Sequence, residues 1–128
     1  MNSINRILLV DDDKIYLYTT ERLLKRVFTD VEILSAPHGA AALAMLRDGA
    51  DAGQLPQLII SDIDMPLMDG LAFIRELERL KLIDFNSTKL VLNSNSHIYR
   101  YADKAGVNTA VTYIQKPITK ENLLSFLG

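Results

Sequence analysis

The sequence has no cysteine and no tryptophan among its 128 residues. The absence of cysteine excludes a disulfide framework and any zinc site built on thiolates. No apolar run approaches the roughly 20 residues that a membrane-spanning helix needs, so we expect no membrane insertion. The first five residues are polar and are not typical of a secretion signal. These absences together predict a cytoplasmic protein.

The chain also lacks an excess of charge of either sign. Its 14 Lys and Arg against 16 Asp and Glu give a net charge of −2, and no basic run is present. This balance argues against direct contact with nucleic acid. The hydrophobic fraction of 48% is enough for a core and argues against disorder. We expect one domain spanning residues 1–128, with no room for a second.

Short apolar runs alternate with amphipathic segments along the whole chain. The predicted strands are 7–10, 31–35, 58–61, 89–92 and 110–115. The predicted helices are 14–28, 40–47, 71–80, 98–105 and 120–126, and 48–56 is predicted to be a loop. Strands that alternate with helices in this way predict an α/β fold with a five-stranded parallel sheet. Right-handed crossovers then favour a doubly wound (βα)5, flavodoxin-like order.

The stretch 58–70, LIISDIDMPLMDG, carries the sharpest signal in the sequence. Its apolar start is typical of a buried parallel strand, and its Pro and Gly force a loop. Asp62 and Asp64 follow directly after the strand. Ligands bind at this edge of open α/β sheets. A lone aspartate there can simply cap a turn, so the residues at the other strand ends decide its role.

Those other strand ends supply polar companions for Asp62. Asp11 and Asp12 follow the first strand, Ser94 the fourth and Lys116 the fifth. Because the strands are parallel, all these side chains are expected at one edge of the sheet. Clustered carboxylate oxygens suit Mg²⁺, and a carboxylate can attack a phosphoryl group to form an acyl phosphate. An ammonium and a hydroxyl would neutralise and bind the phosphoryl oxygens.

At this point a family resemblance becomes visible. LLVDDD, IISDIDMPLMDG, the small hydroxyl residue after the fourth strand and YIQKP match, in order, the motifs of response-regulator receiver domains. The chain resembles this family, which includes the chemotaxis protein CheY, over its whole length. The resemblance implies a stand-alone CheY-like receiver in two-component signal transduction or a phosphorelay, not a metabolic enzyme. Such a protein catalyses at most its own phosphorylation and dephosphorylation.

The resemblance also implies a phosphodonor and a metal cofactor. The donor would be a histidine kinase or a histidine phosphotransfer protein, and the reaction would require Mg²⁺. Asp62 would be the phosphoacceptor, and Asp12 would be the main Mg²⁺ ligand. Asp11 would assist, in part through water. Asp64 occupies the position that lends its backbone carbonyl to the metal.

Further positions would form the switch that the family uses. Ser94 would hydrogen-bond the phosphoryl group, Lys116 would pair with it, and Tyr113 would be the rotating aromatic residue. Their movement would alter a face made by the fourth predicted helix, the fifth strand and the last helix, to which a downstream protein partner binds. The Lys116–Pro117 peptide bond is expected to be cis, as is typical of the family.

One departure from the family pattern affects the chemistry. Asn95 stands where the family usually has Ala or Gly, so its amide is expected to restrict the access of small phosphodonors and of water. Two other functions remain open. Asp62 and Asp64 form a DxD motif like that of haloacid-dehalogenase-like phosphohydrolases, although 128 residues leave no cap domain for a substrate. The third function is a binding module that works without phosphate.

Overall fold

A computed structural model describes residues 4–95 and 111–127. The strands are β1 (Arg6–Val10), β2 (Glu32–Ala36), β3 (Leu58–Ser61), β4 (Lys89–Ser94) and β5 (Val111–Gln115). The helices are α1 (Lys14–Val27), α2 (Gly39–Asp51), α3 (Gly70–Leu80) and α4 (Lys120–Leu127). The helix predicted over 98–105 lies outside the described residues. No helix in the described ranges is both long and apolar enough to cross a membrane.

The five strands form one parallel sheet in the order β2-β1-β3-β4-β5. This is the doubly wound, flavodoxin-like order that the sequence predicts, and the predicted α/β fold class is confirmed. The register pairs Val10 with Ser61 and Ser94 with Gln115, at or near the last position of each strand. The residues that follow β1, β3, β4 and β5 therefore emerge together at the carboxyl edge of the sheet.

Two apolar layers hold the sheet from both sides. Leu8 and Val10 of β1 face a cluster that contains the apolar residues of α2 and α3, including the fully buried Phe73. Ile7 and Leu9 point the other way, into a cluster with α1 and α4. Successive side chains of a strand alternate between faces, so a strand buried on both faces is apolar throughout. Each fully buried large apolar side chain contributes about 1.5–3 kcal/mol, which fixes the strand ends firmly.

Two elements extend beyond their predicted ends by more than one residue. Residues 48–51, predicted as loop, are the last turn of α2, so that prediction is wrong. Gly49 lies inside this turn, where the backbone N–H of Gln54 donates to the Gly49 carbonyl oxygen at 2.6 Å. A Cβ at Gly49 would lie 2.9 Å from the Gln54 carbonyl oxygen, so this glycine permits close packing and does not end the helix. The turn after α2 contains Gly53, at φ +69°, with nothing within 4 Å of where its Cβ would be.

The second extension concerns β4, which continues through Asn93 and Ser94 instead of ending at residue 92. The buried amide of Asn93 is satisfied within the sheet region because its Nδ2 donates to the carbonyl oxygen of Ile114 at 2.9 Å. A polar residue at a buried strand position costs little free energy once it is hydrogen-bonded in this way. Ser94 is thereby held inside the sheet and not in a loop.

Side-chain caps set the starts of the helices. Asp13 is the N-cap of α1, where it accepts from the backbone N–H groups of Ile15 and Tyr16. Asp69 is the N-cap of α3, where it accepts from the backbone N–H of Ala72. Such caps satisfy backbone donors that the first helical turn leaves free. The Lys116–Pro117 peptide bond is cis, as expected.

Candidate functional site

A cleft of about 220 Å³ opens at the carboxyl edge of the sheet. Its lining residues are Asp11, Asp12, Asp13, Asp62, Asp64, Ser94, Asn95 and Lys116. Every residue that the strand ends predicted for this site therefore lies in one place. A larger hollow of about 420 Å³ lies beside the opposite ends of β1 and β2 and the end of α2. That hollow gathers no comparable cluster of carboxylates and ammonium, so we locate the chemistry in the acidic cleft.

The backbone around Asp62 is held from three sides. Its N–H donates to the carbonyl oxygen of Val10 at 2.8 Å, which extends the pairing of β1 with β3 by one residue. Its carboxylate Oδ1 accepts from the N–H of Ile63 at 2.8 Å. Gly70 brings the start of α3 against this turn, where its N–H donates to the Ile63 carbonyl oxygen at 2.7 Å. A Cβ at Gly70 would overlap the Asp62 carbonyl oxygen, so only glycine fits there.

One ammonium group faces two buried carboxylates. Lys116 Nζ lies 2.6 Å from Asp11 Oδ2 and 3.6 Å from Asp62 Oδ2. Asp11 and Asp62 are 3% and 8% exposed, so water screens neither charge well. Burial is the largest single influence and disfavours the charged form of Lys116, but the hydrogen bond to Asp11 and the negative charges of Asp11 and Asp62 together outweigh it, so the pKa of Lys116 is raised.

Asp62 is the carboxylate that this arrangement leaves under strain. Burial first, and then the negative charge of Asp11, raise the pKa of Asp62 from 3.8 to about 6, although Lys116 partly opposes the shift. Lys116 forms its short contact with Asp11, so it neutralises Asp62 less completely. At neutral pH Asp62 is therefore an ionised but poorly compensated carboxylate, which is a suitable state for a nucleophile.

The same carboxylates could hold a metal ion. One oxygen each from Asp11, Asp12 and Asp62 can be chosen so that all three lie within 4.8 Å of one another. These are hard oxygen donors, and Asp12 is exposed at the cleft, where a bound ion could keep several waters. Such a donor set fits Mg²⁺, which takes few carboxylates and keeps part of its water shell. Asp11 already accepts from Lys116 and from the N–H of Asp13, whereas Asp12 faces the solvent side.

Ser94 and Asn95 form the wall of the cleft at the end of β4. Ser94 is 1% exposed, and its carbonyl oxygen accepts from the backbone N–H of Lys116 at 2.8 Å. This bond fixes the spacing between the serine and the base of the lysine. Asn95 is exposed and lines the cleft beside Ser94, as its sequence position predicts.

Tyr113 lies on β5 and is not among the cleft residues. Its hydroxyl oxygen is buried and has no hydrogen-bond partner within residues 4–95 and 111–127. Burial raises the pKa of Tyr113. An unsatisfied buried hydroxyl costs free energy. The ring packs against the apolar layer that contains α2 and α3, but no hydrogen bond among the described residues opposes a rotation of this side chain.

Two residues behind the cleft, Tyr16 and Asn93, are not among the predicted site residues. Tyr16 of α1 donates its hydroxyl hydrogen to Asn93 Oδ1 and accepts from the Ile118 backbone N–H at 3.2 Å. The centroid of the Tyr16 ring lies 4.3 Å from Lys116 Nζ. The available signal was Asn93 itself, a polar residue that continues the apolar run of β4.

The uncompensated charge of Asp62 predicts a pH-dependent stability of the protein in EDTA. Between pH 4 and pH 6 the folded protein retains a proton that the unfolded chain has lost, because the pKa of Asp62 is raised to about 6. The free energy of unfolding therefore falls as pH rises through this range. Asp62→Asn removes the charge and should be more stable than wild type by roughly 2–3 kcal/mol at pH 7.5, but not at pH 4.

Thermal melts of both proteins across this pH range measure the effect. Asp69→Asn, which keeps the N-cap of α3 and changes a carboxylate outside the cleft, is the matched control and should show no such gain at neutral pH. A constant difference between Asp62→Asn and wild type at every pH would contradict the charge explanation.

Comparisons with known proteins agree on one family. A profile of the response regulator receiver domain matches residues 7–127. PilG of Pseudomonas aeruginosa is 31% identical over 119 residues, which cover 93% of this chain and 82% of PilG. The rice two-component response regulator ORR23 is 32% identical, but the match covers only 16% of that protein. The crystal structure of a two-component response regulator from Cytophaga hutchinsonii superposes with a TM-score of 0.87 at 30% identity, covering 98% of this chain and 96% of that one. The chain therefore belongs to the response regulator receiver domains of two-component signalling systems.

Proposed function

We propose that the chain, as one receiver domain over residues 1–128, accepts a phosphoryl group on Asp62 from the phosphohistidine of a histidine kinase or phosphotransfer protein. The observation that carries this proposal is the position of the Asp62 carboxylate. It lies at the carboxyl edge of the sheet, 3.6 Å from the Lys116 ammonium and within a cluster of carboxylates. The chain acts as a signalling component and not as a metabolic enzyme.

The reaction transfers a phosphoryl group between two side chains. One carboxylate oxygen of Asp62 forms a bond to phosphorus while the phosphorus–nitrogen bond of the phosphohistidine breaks. The electron pair of that bond stays with the imidazole, which is protonated on its other nitrogen and leaves as the neutral ring. The product is an acyl phosphate on Asp62. Since Oδ1 accepts from the N–H of Ile63, Oδ2 is the oxygen that is turned toward Lys116.

The surrounding side chains stabilise the negative charge on the phosphoryl oxygens. Lys116 is close enough to move from Asp11 to a phosphoryl oxygen by a small change of its side chain. The Ser94 hydroxyl at the cleft wall would donate to a second oxygen. Positioning and charge neutralisation of this kind supply most of the catalysis of phosphoryl transfer.

Mg²⁺ would be held by Asp12, with Asp11, Asp62 and the backbone carbonyl of Asp64 as further ligands. When bound, the ion offsets the charge of the carboxylates and of the transferred group. The oxygens of Asp11, Asp12 and Asp62 that lie within 4.8 Å of one another support this assignment. Asp13 is assigned to the cap of α1 and not to the ligand set, because its Oδ1 accepts two backbone N–H groups and its carboxylate is not part of the group of close oxygens.

Phosphorylation would change a protein-binding surface through Ser94 and Tyr113. Ser94 moves toward the phosphoryl group, and Tyr113 follows into the space that is vacated. The unpartnered hydroxyl of Tyr113 supports this route, because the residue loses no hydrogen bond among the described residues when it moves. The change is a shift between two packings, driven by contacts that exist only with the phosphoryl group. The surface formed by β5, α4 and the predicted helix at 98–105 then binds the downstream protein partner or allows relay of the phosphate.

The alternative of a haloacid-dehalogenase-like phosphohydrolase has less support. Such an enzyme uses the second aspartate of the DxD motif as a general acid, and Asp64 here is an exposed residue at the cleft. Ser94 at the end of β4 and Lys116 directly after β5 also stand at the positions that carry the hydroxyl and the lysine in receiver domains. We therefore keep phosphoryl acceptance as the function of this site.

The phosphoacceptor assignment predicts a single modified residue. Incubation with Mg²⁺ and either acetyl phosphate or a cognate phosphorylated kinase should add one phosphoryl group to wild type, measured as intact mass. Asp62→Asn should add none, because an amide cannot form the acyl phosphate, whereas Asp69→Asn should react like wild type. Phosphate incorporation that persists in Asp62→Asn would refute the assignment.

The metal assignment predicts a specific loss of Mg²⁺ response. Mg²⁺ binds the folded site and scarcely the unfolded chain, so 10 to 100 times its Kd should stabilise wild type by roughly 1–3 kcal/mol. Asp12→Ala should respond much less, because it lacks the main ligand. Thermal melts in EDTA and in Mg²⁺ measure this, with Asp13→Asn as a control that keeps the helix cap and the full response. Equal Mg²⁺ shifts in wild type and Asp12→Ala would show that Asp12 is not a ligand.

Asn95 predicts a slow loss of the acyl phosphate. Its side chain lines the cleft beside Ser94, where it crowds the path of an attacking water. Asn95→Ala should open this path and speed the decay of the phosphorylated protein, followed by mass or by phosphate release. Asn86→Ala, in the exposed turn before β4, is the control. Identical lifetimes for Asn95→Ala and wild type would mean that the amide does not face the phosphoryl group.

A further inference from the structure

Tyr16 connects α1 to both sides of Lys116. Its hydroxyl binds Asn93, whose Nδ2 donates to the carbonyl oxygen of Ile114, and it also accepts from the backbone N–H of Ile118. Ile114 and Ile118 each lie two residues from Lys116, one on either side. The segment that carries the lysine is therefore tied at both ends to one tyrosine–asparagine pair.

The directions of these hydrogen bonds are fixed by chemistry. The Ile118 N–H can only donate, and the Ile114 carbonyl can only accept. Asn93 must therefore turn its Nδ2 toward Ile114, which leaves its Oδ1 as an acceptor for the Tyr16 hydroxyl. With the amide turned the other way, Asn93 Oδ1 would face the Ile114 carbonyl oxygen, and neither acceptor would receive a hydrogen bond. The chain of bonds thus holds the phenol in one position.

The face of the Tyr16 ring lies against the lysine itself. Lys116 Nζ is 4.3 Å from the ring centroid, while it contacts Asp11 and Asp62 on other sides. A cation above an aromatic face is attracted by the ring's quadrupole, more strongly where water is excluded. The Lys116 side chain is only 8% exposed, so water is largely excluded here. On the side of Asp62 and Asn93 the void beside Tyr16 is only about 10 Å³, room for about one water, so the ring cannot move further toward the cleft.

We infer that Tyr16 is a positioning residue for phosphoryl transfer, which keeps the Lys116 ammonium within reach of Asp62 through its ring and through the bonds to Asn93 and Ile118. This inference rests on the proposed function. Tyr16 does not contact the reacting atoms and acts only through Lys116. Without the phenol hydroxyl, the turn around Lys116 loses one anchor and the ammonium is free to settle wholly on Asp11.

A double-mutant comparison distinguishes a positioning role of Tyr16 from simple packing, because a residue that acts only through Lys116 has no effect on the phosphorylation rate once Lys116 is removed. Tyr16→Phe keeps the ring and removes only the hydroxyl, and it should slow Asp62 phosphorylation by acetyl phosphate in saturating Mg²⁺ on the order of tenfold. In a Lys116→Ala background the same substitution should change the already reduced rate by less than about twofold. Tyr18→Phe, on the exposed side of the same helix, is the matched control and should react like wild type.

Rates are taken from intact mass at a temperature well below the lowest melting temperature of the set, so that all variants are folded. If Tyr16→Phe does not fold, Asn93→Leu replaces it, because it removes the hydroxyl's acceptor while Tyr16 remains. A wild-type rate in Tyr16→Phe, or an equal slowing with and without Lys116, would overturn the inference while leaving the proposed function intact. Failure of wild type to gain phosphate from acetyl phosphate and from its kinase would overturn both.

Discussion

The distribution of one positive charge among several carboxylates governs this protein. Like charges about 4 Å apart repel by several kcal/mol at an effective dielectric near 20. Lys116 makes its short contact with Asp11, and Asp62 is left at 3.6 Å with its pKa raised. A fold tolerates such a site only if the rest of it is stable without the site. The two apolar layers around the parallel sheet provide that stability and hold the carboxylates at fixed positions.

The same imbalance explains why the site is ready for a ligand. A divalent cation or a phosphoryl group would find charges already gathered, so little reorganisation is needed when it binds. The repulsion between the gathered carboxylates lowers the free energy of unfolding. Stability and function therefore oppose each other at this edge of the sheet, while they coincide in the layers beneath it.

The sequence predicts most of the fold because its signals are local and consistent. The apolar runs of β1 and β3 permit only buried strands, and the residues that follow them then meet at one edge by topology alone. The cleft residues are predictable for the same reason, since each lies at the end of a strand or within three residues after it. The extension of α2 through residues 48–51 was not predictable, because Gly49 normally signals a break and its close contact with Gln54 is a tertiary feature.

The role of Tyr16 was also beyond prediction from the sequence. A tyrosine on an amphipathic helix is most simply a partly buried aromatic residue, and its partners Asn93 and Ile118 are 77 and 102 residues away. Only the assembled sheet brings them together. Pairwise chemistry of this kind has no periodic signature, in contrast to helices and strands.

The tight contact between Gly70 and Asp62 has a consequence for how this chain can vary. Because α3 begins against the Asp62 backbone, the connection between β3 and α3 cannot gain a residue or a side chain at that contact without displacing the site. The turn at Gly53 is the opposite case, since nothing lies within 4 Å of its missing Cβ. We therefore expect insertions and reporter groups to be tolerated after α2, at a distance from the chemistry, and not in the connection between β3 and α3.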